Sequence, residues 1–535
     1  MTRARSTWWA SRSRVFSGST NDRRKWDEPA MMADQATEHQ RVLIFDVATL
    51  FVFSVVMRLP FMYATVDDAF ITFRYARNLG AGLGFVYNVG EPVLGTTTPL
   101  YTLWITLAGL SGFDLVVVGK LLNIVADAAS AVLLYVLMRR LGSHALAGAV
   151  AILFATSPYN IFYAATGMET GLYTFLVLLT LFLGAQNDLA HRRWLALGCA
   201  GGLLVLTRPD GWLAVAMVAI VGMIRGGSRT DLLKALSVSV ACQAAWTIFA
   251  LGYFGSPIPN SVSAKALSYQ VSGALDWGLD FFRVFFIRSG LLGGVIVISL
   301  FLVGLIAALM NRTRALLLIF AGWFALYLIA FTLARGGPYG WYYAPLMPIF
   351  FLFVCLGVYE GYNRVCAIPT MARAFQTISP RVWQIAALIL VCLLVIVSFL
   401  GVSVDAQVES AFEREIGQPL GVWLRDNTPA SATVALESIG AVGWYSERHI
   451  IDEGGLVSKR VVALNRSTPG DINILGILQA FTPDYYVAWK TWELEKLEAD
   501  PVARSWLSNN YEEMRRYDDG IRTWILFQRR EVIVR

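Results

Sequence analysis

Thr65-Val-Asp-Asp-Ala-Phe-Ile-Thr-Phe-Arg-Tyr75 sets two adjacent carboxylates, Asp67 and Asp68, just beyond the first long apolar run of the chain. A charge beside a bilayer is costly to hold unless chemistry or a partner requires it, so the pair marks a candidate site. The plainer reading is a solvated pair that ends or caps a helix, because the helix dipole favours carboxylates in a first turn. Phe70, Phe73, Ala76 and Leu79 recur at helical spacing after the pair. Gly80, Gly82, Gly84, Asn88, Gly90 and Gly95 then supply turns, which makes residues 64–112 a structured loop rather than a plain connector.

The composition around this loop excludes a soluble domain: of 535 residues, 56 % are apolar and only 15 % charged. Apolar runs of about 20 residues, the length that crosses ~30 Å of hydrocarbon, predict about eleven transmembrane helices. They fall near 42–63, 115–138, 145–162, 171–187, 194–207, 211–225, 231–254, 287–310, 315–334, 342–363 and 383–404. The stretch 98–111 is apolar but short, and reads as an interfacial helix. Residues 1–40 carry Arg3, Arg5, Arg12, Arg14, Arg23, Arg24 and Lys25 among polar residues. They read as a disordered cytoplasmic tail, since the apolar run after Arg41 is too long for a signal core. The five cysteines lie in or beside apolar spans without metal-ligand spacing, so no disulfide framework or structural zinc is implied.

Charge orients the spans. Net charge is +6, but the basic residues are scattered through short loops, which argues topology and not nucleic-acid binding. With the N-terminus inside, Arg139-Arg140, His191-Arg-Arg193, Arg225 to Lys234, Arg312 with Arg314, and Arg364 to Arg381 are all inside. The loops with mixed charge and Gly/Pro punctuation then face outside, in a multi-pass plasma-membrane protein. An odd span count also puts residues 405–535 outside. Strand-like runs at 433–437, 449–452, 484–489, 511–518 and 521–527 alternate there with helical ones at 409–426 and 471–481, around a glycine turn from Gly440 to Gly443. That pattern predicts an extracytoplasmic α/β domain with a small mixed or parallel sheet. The membrane module is 41–404.

The outward residues suggest chemistry. A carboxylate in reach of an acceptor hydroxyl can take its proton while the oxygen attacks a sugar carbon, which suits Asp67 or Asp68. Cationic forks hold phosphate and neutralise charge on a leaving group, which suits Arg74, Arg77, Arg208, Lys265 and Arg335. Each alone is as easily a snorkelling anchor.

Asp67-Asp68, Gly84-Phe-Val-Tyr-Asn-Val-Gly-Glu-Pro-Val-Leu-Gly-Thr-Thr-Thr-Pro99, Gly167-Met-Glu-Thr170, Thr207-Arg-Pro-Asp-Gly211 and Pro259-Asn-Ser-Val-Ser-Ala-Lys265 together resemble the GT-C superfamily of membrane glycosyltransferases. Within it the likeness is greatest to the terminal β-(1→2) arabinofuranosyltransferases of actinobacterial cell walls. Glu437-Ser-Ile-Gly-Ala-Val-Gly-Trp-Tyr-Ser446 and Ile450-Ile-Asp-Glu-Gly-Gly-Leu456 are similar to the soluble domain of that group. The resemblance implies a polyprenyl-phosphate sugar donor, a cell-wall polysaccharide acceptor and inversion at the anomeric carbon. It matches Asp67 to the catalytic base and Asp68 to its neighbour, and makes Glu169, Arg208, Asp210, Asn260, Lys265 and Tyr342 candidate substrate contacts. Glu437 and the Leu94-Gly-Thr-Thr-Thr98 turn depart from the group's usual residues, and leave a mannosyl or other polyprenyl-phosphate sugar as the alternative donor. A transporter or non-catalytic lipid-sugar binder is the other alternative. No cofactor is required by the sequence, although Asp67, Asp68 and Glu169 could gather around a divalent cation.

Overall fold

The computed structural model describes residues 24–530 except 141–143, 187–192, 227, 269–275, 311–314, 335–338, 369–379 and 469–470. Two units are distinguished, residues 1–49 and 50–535. Of the first, the described part is the beginning of helix α1 (Arg24–Arg58). Residues 24–40, expected to lack structure, are therefore helical, while residues 1–23 lie outside the described set.

An apolar chain in lipid must satisfy its backbone internally, so the runs fold as helices. α2 (Asp67–Gly80) and α3 (Pro99–Leu110) occupy the first loop. Then come α4 (Leu115–Arg139), α5 (His144–Ala155), α6 (Pro158–Ala165), α7 (Thr170–Gly184), α8 (Arg193–Thr207), α9 (Trp212–Ile224) and α10 (Arg229–Phe254). The series continues with α11 (Asn260–Ser268), α12 (Asp276–Met310), α13 (Ala315–Leu333), α14 (Met347–Cys366) and α15 (Pro380–Ala411).

Among the described residues, six helical stretches are long and apolar enough to cross a bilayer, beginning with Arg41–Phe61 and ending with Gly340–Cys366. The α5/α6 pair, bent by 51°, would make a seventh. The bend has a local cause: Ser157 is extended ahead of Pro158, and its hydroxyl caps α6 by accepting from the Asn160 N–H. The spans expected at 171–187, 194–207 and 211–225 correspond to helices of 15, 15 and 13 residues. At ~1.5 Å per residue these are about 20–23 Å long, short of a full crossing when straight.

The C-terminal region is a mixed five-stranded sheet in the order β2-β1-β3-β5-β4. β1 (Thr433–Leu436) runs parallel to β2 (His449–Asp452) and to β3 (Tyr485–Trp489), while β5 (Thr523–Arg529) is antiparallel to β3 and to β4 (Tyr511–Asp518). α16 (Gln418–Asn427), α17 (Ile439–Ser446), α18 (Lys459–Asn465), α19 (Ile474–Phe481), α20 (Glu495–Ala499) and α21 (Pro501–Asn510) connect it. One expectation is corrected here: Gly440 to Gly443 do not make a turn but lie within α17.

The sheet does not stand apart from the first loop. Ile71, Tyr75, Phe85, Tyr87 and Leu94 share one buried cluster with Leu436, Ile439, Val442, Ile450 and Trp524. Each buried aromatic or aliphatic side chain contributes about 1.5–3 kcal/mol, so this core fastens the two regions together.

Candidate functional site

The approach to Asp67 is fixed before α2 begins. Lys120 of α4 donates through Nζ to the carbonyls of Met62 and Ala64 and to Thr65 Oγ1, at 2.6, 2.9 and 2.8 Å. The Val66 N–H donates to Thr166 O at 3.3 Å. Val66 is extended and α2 starts at Asp67, which places both carboxylates in the first turn.

Asp67 Oδ1 accepts the Ala441 N–H at 2.7 Å, and Oδ2 accepts the Gly440 N–H at 2.9 Å. Burial pushes the Asp67 carboxyl up to about 7; the two N–H bonds oppose this, and the charges of Asp68 and Glu437 add to it. Asp68 Oδ2 faces Lys265 Nζ at 3.7 Å. Lys265 lies 5.3 Å from the Tyr339 ring centre and 6.0 Å from that of Trp341. Its ammonium is held above the ordinary lysine range: burial works against the charge, but Tyr342, Asp68 and Tyr339 outweigh it.

Two cavities meet at Asp68 and Lys265. The larger, about 490 Å³, has Asp67, Glu409, Glu437 and Tyr339 on its wall, with Trp489 and Trp492 from the C-terminal region. The smaller, about 120 Å³, is bounded by Glu169, Arg208 and Tyr342, with Thr96 to Thr98. Asp68, Ile71, Lys265, Trp341 and Leu456 belong to both walls.

Arg208 is the buried cation of the small cavity. Its Nη1 lies 3.3 Å from Glu169 Oε1, its Nε donates to Asp210 Oδ1 at 3.0 Å, and its guanidinium covers the Tyr173 and Tyr342 rings at 5.0 and 4.9 Å. Burial raises the Glu169 carboxyl, against the pull of Arg208. A small volume, two cations and three threonines suit a phosphate. The acidic and aromatic walls of the larger volume suit a polyhydroxylated ring, which stacks on indole faces and donates to carboxylates.

Other sequence-derived positions lie elsewhere. Arg74 donates to the carbonyls of Tyr87, Gly443 and Arg448 at 2.9, 2.7 and 2.7 Å and covers the Tyr87 ring at 4.2 Å. Arg77 donates to Trp444 O at 3.0 Å and lies 3.2 Å from Glu447 Oε1. Both engage the C-terminal region, and neither belongs to the walls of the two cavities. Asn260 likewise bridges, its Nδ2 donating to Gly455 O at 2.6 Å and its N–H to Leu94 O at 2.7 Å. Asp210 orients Arg208, and Arg335 is outside the described residues. Among the described residues no three of His, Cys, Asp and Glu are arranged to hold a metal ion. Glu169 turns to Arg208 instead of converging with Asp67 and Asp68. Glu409, Trp489 and Trp492 were not singled out from sequence; isolated aromatic and acidic residues in helix and strand ends carry no spacing signal.

Residues 404–532 match a family described as Domain of unknown function (DUF8728). Solved structures align along most of the chain. ArnT from Cupriavidus metallidurans bound to undecaprenyl phosphate superposes with a TM-score of 0.56 at 14 % identity, over 92 % of this chain and 98 % of that one. The chain shares the fold of that structure. The archaeal oligosaccharyltransferase AglB from Archaeoglobus fulgidus, in complex with an inhibitory peptide and a dolichol-phosphate, gives a TM-score of 0.57 at 12 % identity, covering 90 % of this chain and 75 % of that one. In sequence, the chain is similar to the terminal beta-(1->2)-arabinofuranosyltransferase of Mycobacterium tuberculosis, 30 % identical over 217 residues. The like-named protein of Corynebacterium glutamicum is 27 % identical over 233 residues. These matches span 37 % and 39 % of this chain, and about a third, 34 %, of each relative's length.

Proposed function

We propose that the protein is an inverting glycosyltransferase that moves a sugar, arabinofuranose, from a polyprenyl-phosphate donor to a cell-wall glycan acceptor outside the membrane. The observation that carries this reading is the meeting of two unlike cavities at one carboxylate–ammonium pair, Asp68 and Lys265, with Asp67 on the larger side. The sequence similarity to two arabinofuranosyltransferases supports the choice of sugar.

In this mechanism the donor phosphate occupies the small cavity, where Arg208 and Lys265 neutralise it, and Tyr342 and the threonines complete its surroundings. The sugar extends past Asp68 into the large cavity. Asp67 takes the proton of an acceptor hydroxyl while that oxygen bonds to the anomeric carbon. The bond from that carbon to the phosphate oxygen breaks, its electron pair leaves with the polyprenyl phosphate, and attack from the opposite face inverts the centre. A base with a pKa about 7 is poised for proton transfer near neutral pH.

The test is transfer by the purified protein in lipid, with polyprenyl-phosphate arabinofuranose and mannose as donors, for wild type, Asp67→Asn and Asp68→Asn. Turnover with the arabinofuranose donor that Asp67→Asn abolishes in a folded protein is expected. Turnover with mannose alone would replace the sugar. A folded protein that binds donors yet turns none over would replace the enzyme by a lipid-sugar binder.

A further inference from the structure

α17 lies along α2 in a way that complements charge at both of its ends. Its first-turn N–H groups, from Gly440 and Ala441, point at the Asp67 carboxylate. The carbonyls of Gly443 and Trp444, nearer its C-terminus, accept from Arg74 and Arg77 of the same α2. A helix presents partial positive charge at its start and partial negative charge at its end, so one acidic and two basic residues of α2 clamp it in a single direction. Glycine makes the approach close enough: a Cβ on Gly440 would stand 1.8 Å from Asp67 O, and one on Gly443 would stand 1.9 Å from the Tyr87 hydroxyl. Tyr87 in turn donates to Ile439 O at 2.6 Å, holding the helix start in place.

We infer that Gly440 and Ala441 are positioning residues for Asp67: the C-terminal region supplies the two N–H groups that fix the orientation and charge of this carboxylate, so the working base exists only while α17 is docked on α2. The inference rests on the reading of Asp67 as the general base and extends it. Each carboxylate oxygen gives one lone pair to an N–H and keeps another for a proton. Other charged groups around the large cavity are Asp68 on α2, Glu437 after β1, Glu409 on α15, Asp471 before α19, Arg522 before β5 and Lys265 on α11. Among them Lys265 faces Asp68, Asp471 pairs with Lys496, and Arg522 pairs with Asp519 at 2.8 Å. The neutralising contacts of Asp67 itself are therefore the two backbone donors.

Ala441→Pro is the sharpest variant. It replaces one N–H of the first turn of α17, a group with no intrahelical partner, by a ring Cδ, so Asp67 Oδ1, held 2.7 Å from that nitrogen, both loses its donor and is pushed aside. Losing a donor to the carboxylate form raises the pKa of Asp67, so the acid limb of kcat/KM moves to higher pH, with activity recovering as pH rises. Ala441→Ser keeps the N–H and should leave the limb in place. The titration of Asp67 is read independently of turnover from the carboxyl band in the infrared difference between each protein and its Asp67→Asn counterpart, in nanodiscs. An upward shift of at least about 0.5–1 pH unit in Ala441→Pro, absent in Ala441→Ser, is expected; the loss of one ordinary hydrogen bond of ~1 kcal/mol corresponds to that lower bound. An unshifted band and limb in folded Ala441→Pro would overturn the inference. If the band shifts in a protein that transfers no sugar, the positioning stands and the proposed reaction falls.

Discussion

At the scale of single residues, Asp67 and Arg208 divide the proposed chemistry. Asp67 must be ionised to accept a proton, and its carboxyl is pushed up to about 7, chiefly by burial. Activity is therefore expected to decline as pH falls through about 7, a limb that a pH series of kcat/KM would show. Asp67→Asn should lower turnover by ~10²–10⁴-fold, the range for loss of a general base, while donor binding is retained. Arg208→Gln should instead raise the KM for donor by about 10–100-fold, since a hydrogen bond to a charged group is worth ~1.5–3 kcal/mol. Donor titrations at fixed acceptor would separate the two effects.

Among elements, the pairing of α2 with α17 decides how much could be read in advance. The α2 helix was legible because Phe70, Phe73, Ala76 and Leu79 keep its period in the sequence. α17 was not, because Gly440 and Gly443 look like turn residues until a neighbour is known: only Asp67 and Tyr87, more than 350 positions earlier, explain why no side chain fits there. The same blindness sent Arg74 and Arg77 to phosphate, since a sequence shows the charge but not the carbonyl that receives it. Gly443→Ala should cost about 1–3 kcal/mol by overpacking against Tyr87 and should speed limited proteolysis of the C-terminal region. A second element-scale expectation concerns β2. Asp452 is fully buried, and burial pushes its carboxyl up to about 7 against the bond from the Val457 N–H. Its folded pKa exceeds its unfolded value, so its contribution to stability is complete below about 4 and is lost as pH rises through about 7. Asp452→Asn keeps an acceptor and stays neutral in both states, so it should raise the thermal midpoint over wild type at pH 8.5, with the gain shrinking steadily as pH is lowered towards about 4.

For the whole molecule, apolar runs identified a multi-pass helical protein, but their number is a weaker guide than their presence. Helices of 13 to 15 residues such as α7, α8 and α9 are as apolar as full spans, and hydropathy does not report length after a kink or a break. The proposed orientation, with the sheet outside, has a direct check. Asn509 is exposed at the end of α21, and Asn509→Cys should be labelled by a membrane-impermeant maleimide in intact cells, above the background of the unsubstituted protein. Protection there until the cells are opened would reverse the orientation.

The bond from Gly440 to Asp67 joins positions 373 apart in the chain. During synthesis at about 5–20 residues per second, α2 would wait some 20–70 s before the segment that completes it is made. Through that interval Tyr75, Phe85 and Tyr87 have none of their later neighbours from β1, β2 and β5. The membrane helices can be in place while the nascent protein is still inert, and activity would arrive late, as a single event, when the final strands close over the loop. A ribosome stalled after α15 would release a chain that is inserted but carries an uncovered aromatic surface, the kind of feature by which quality-control proteases recognise unfinished products.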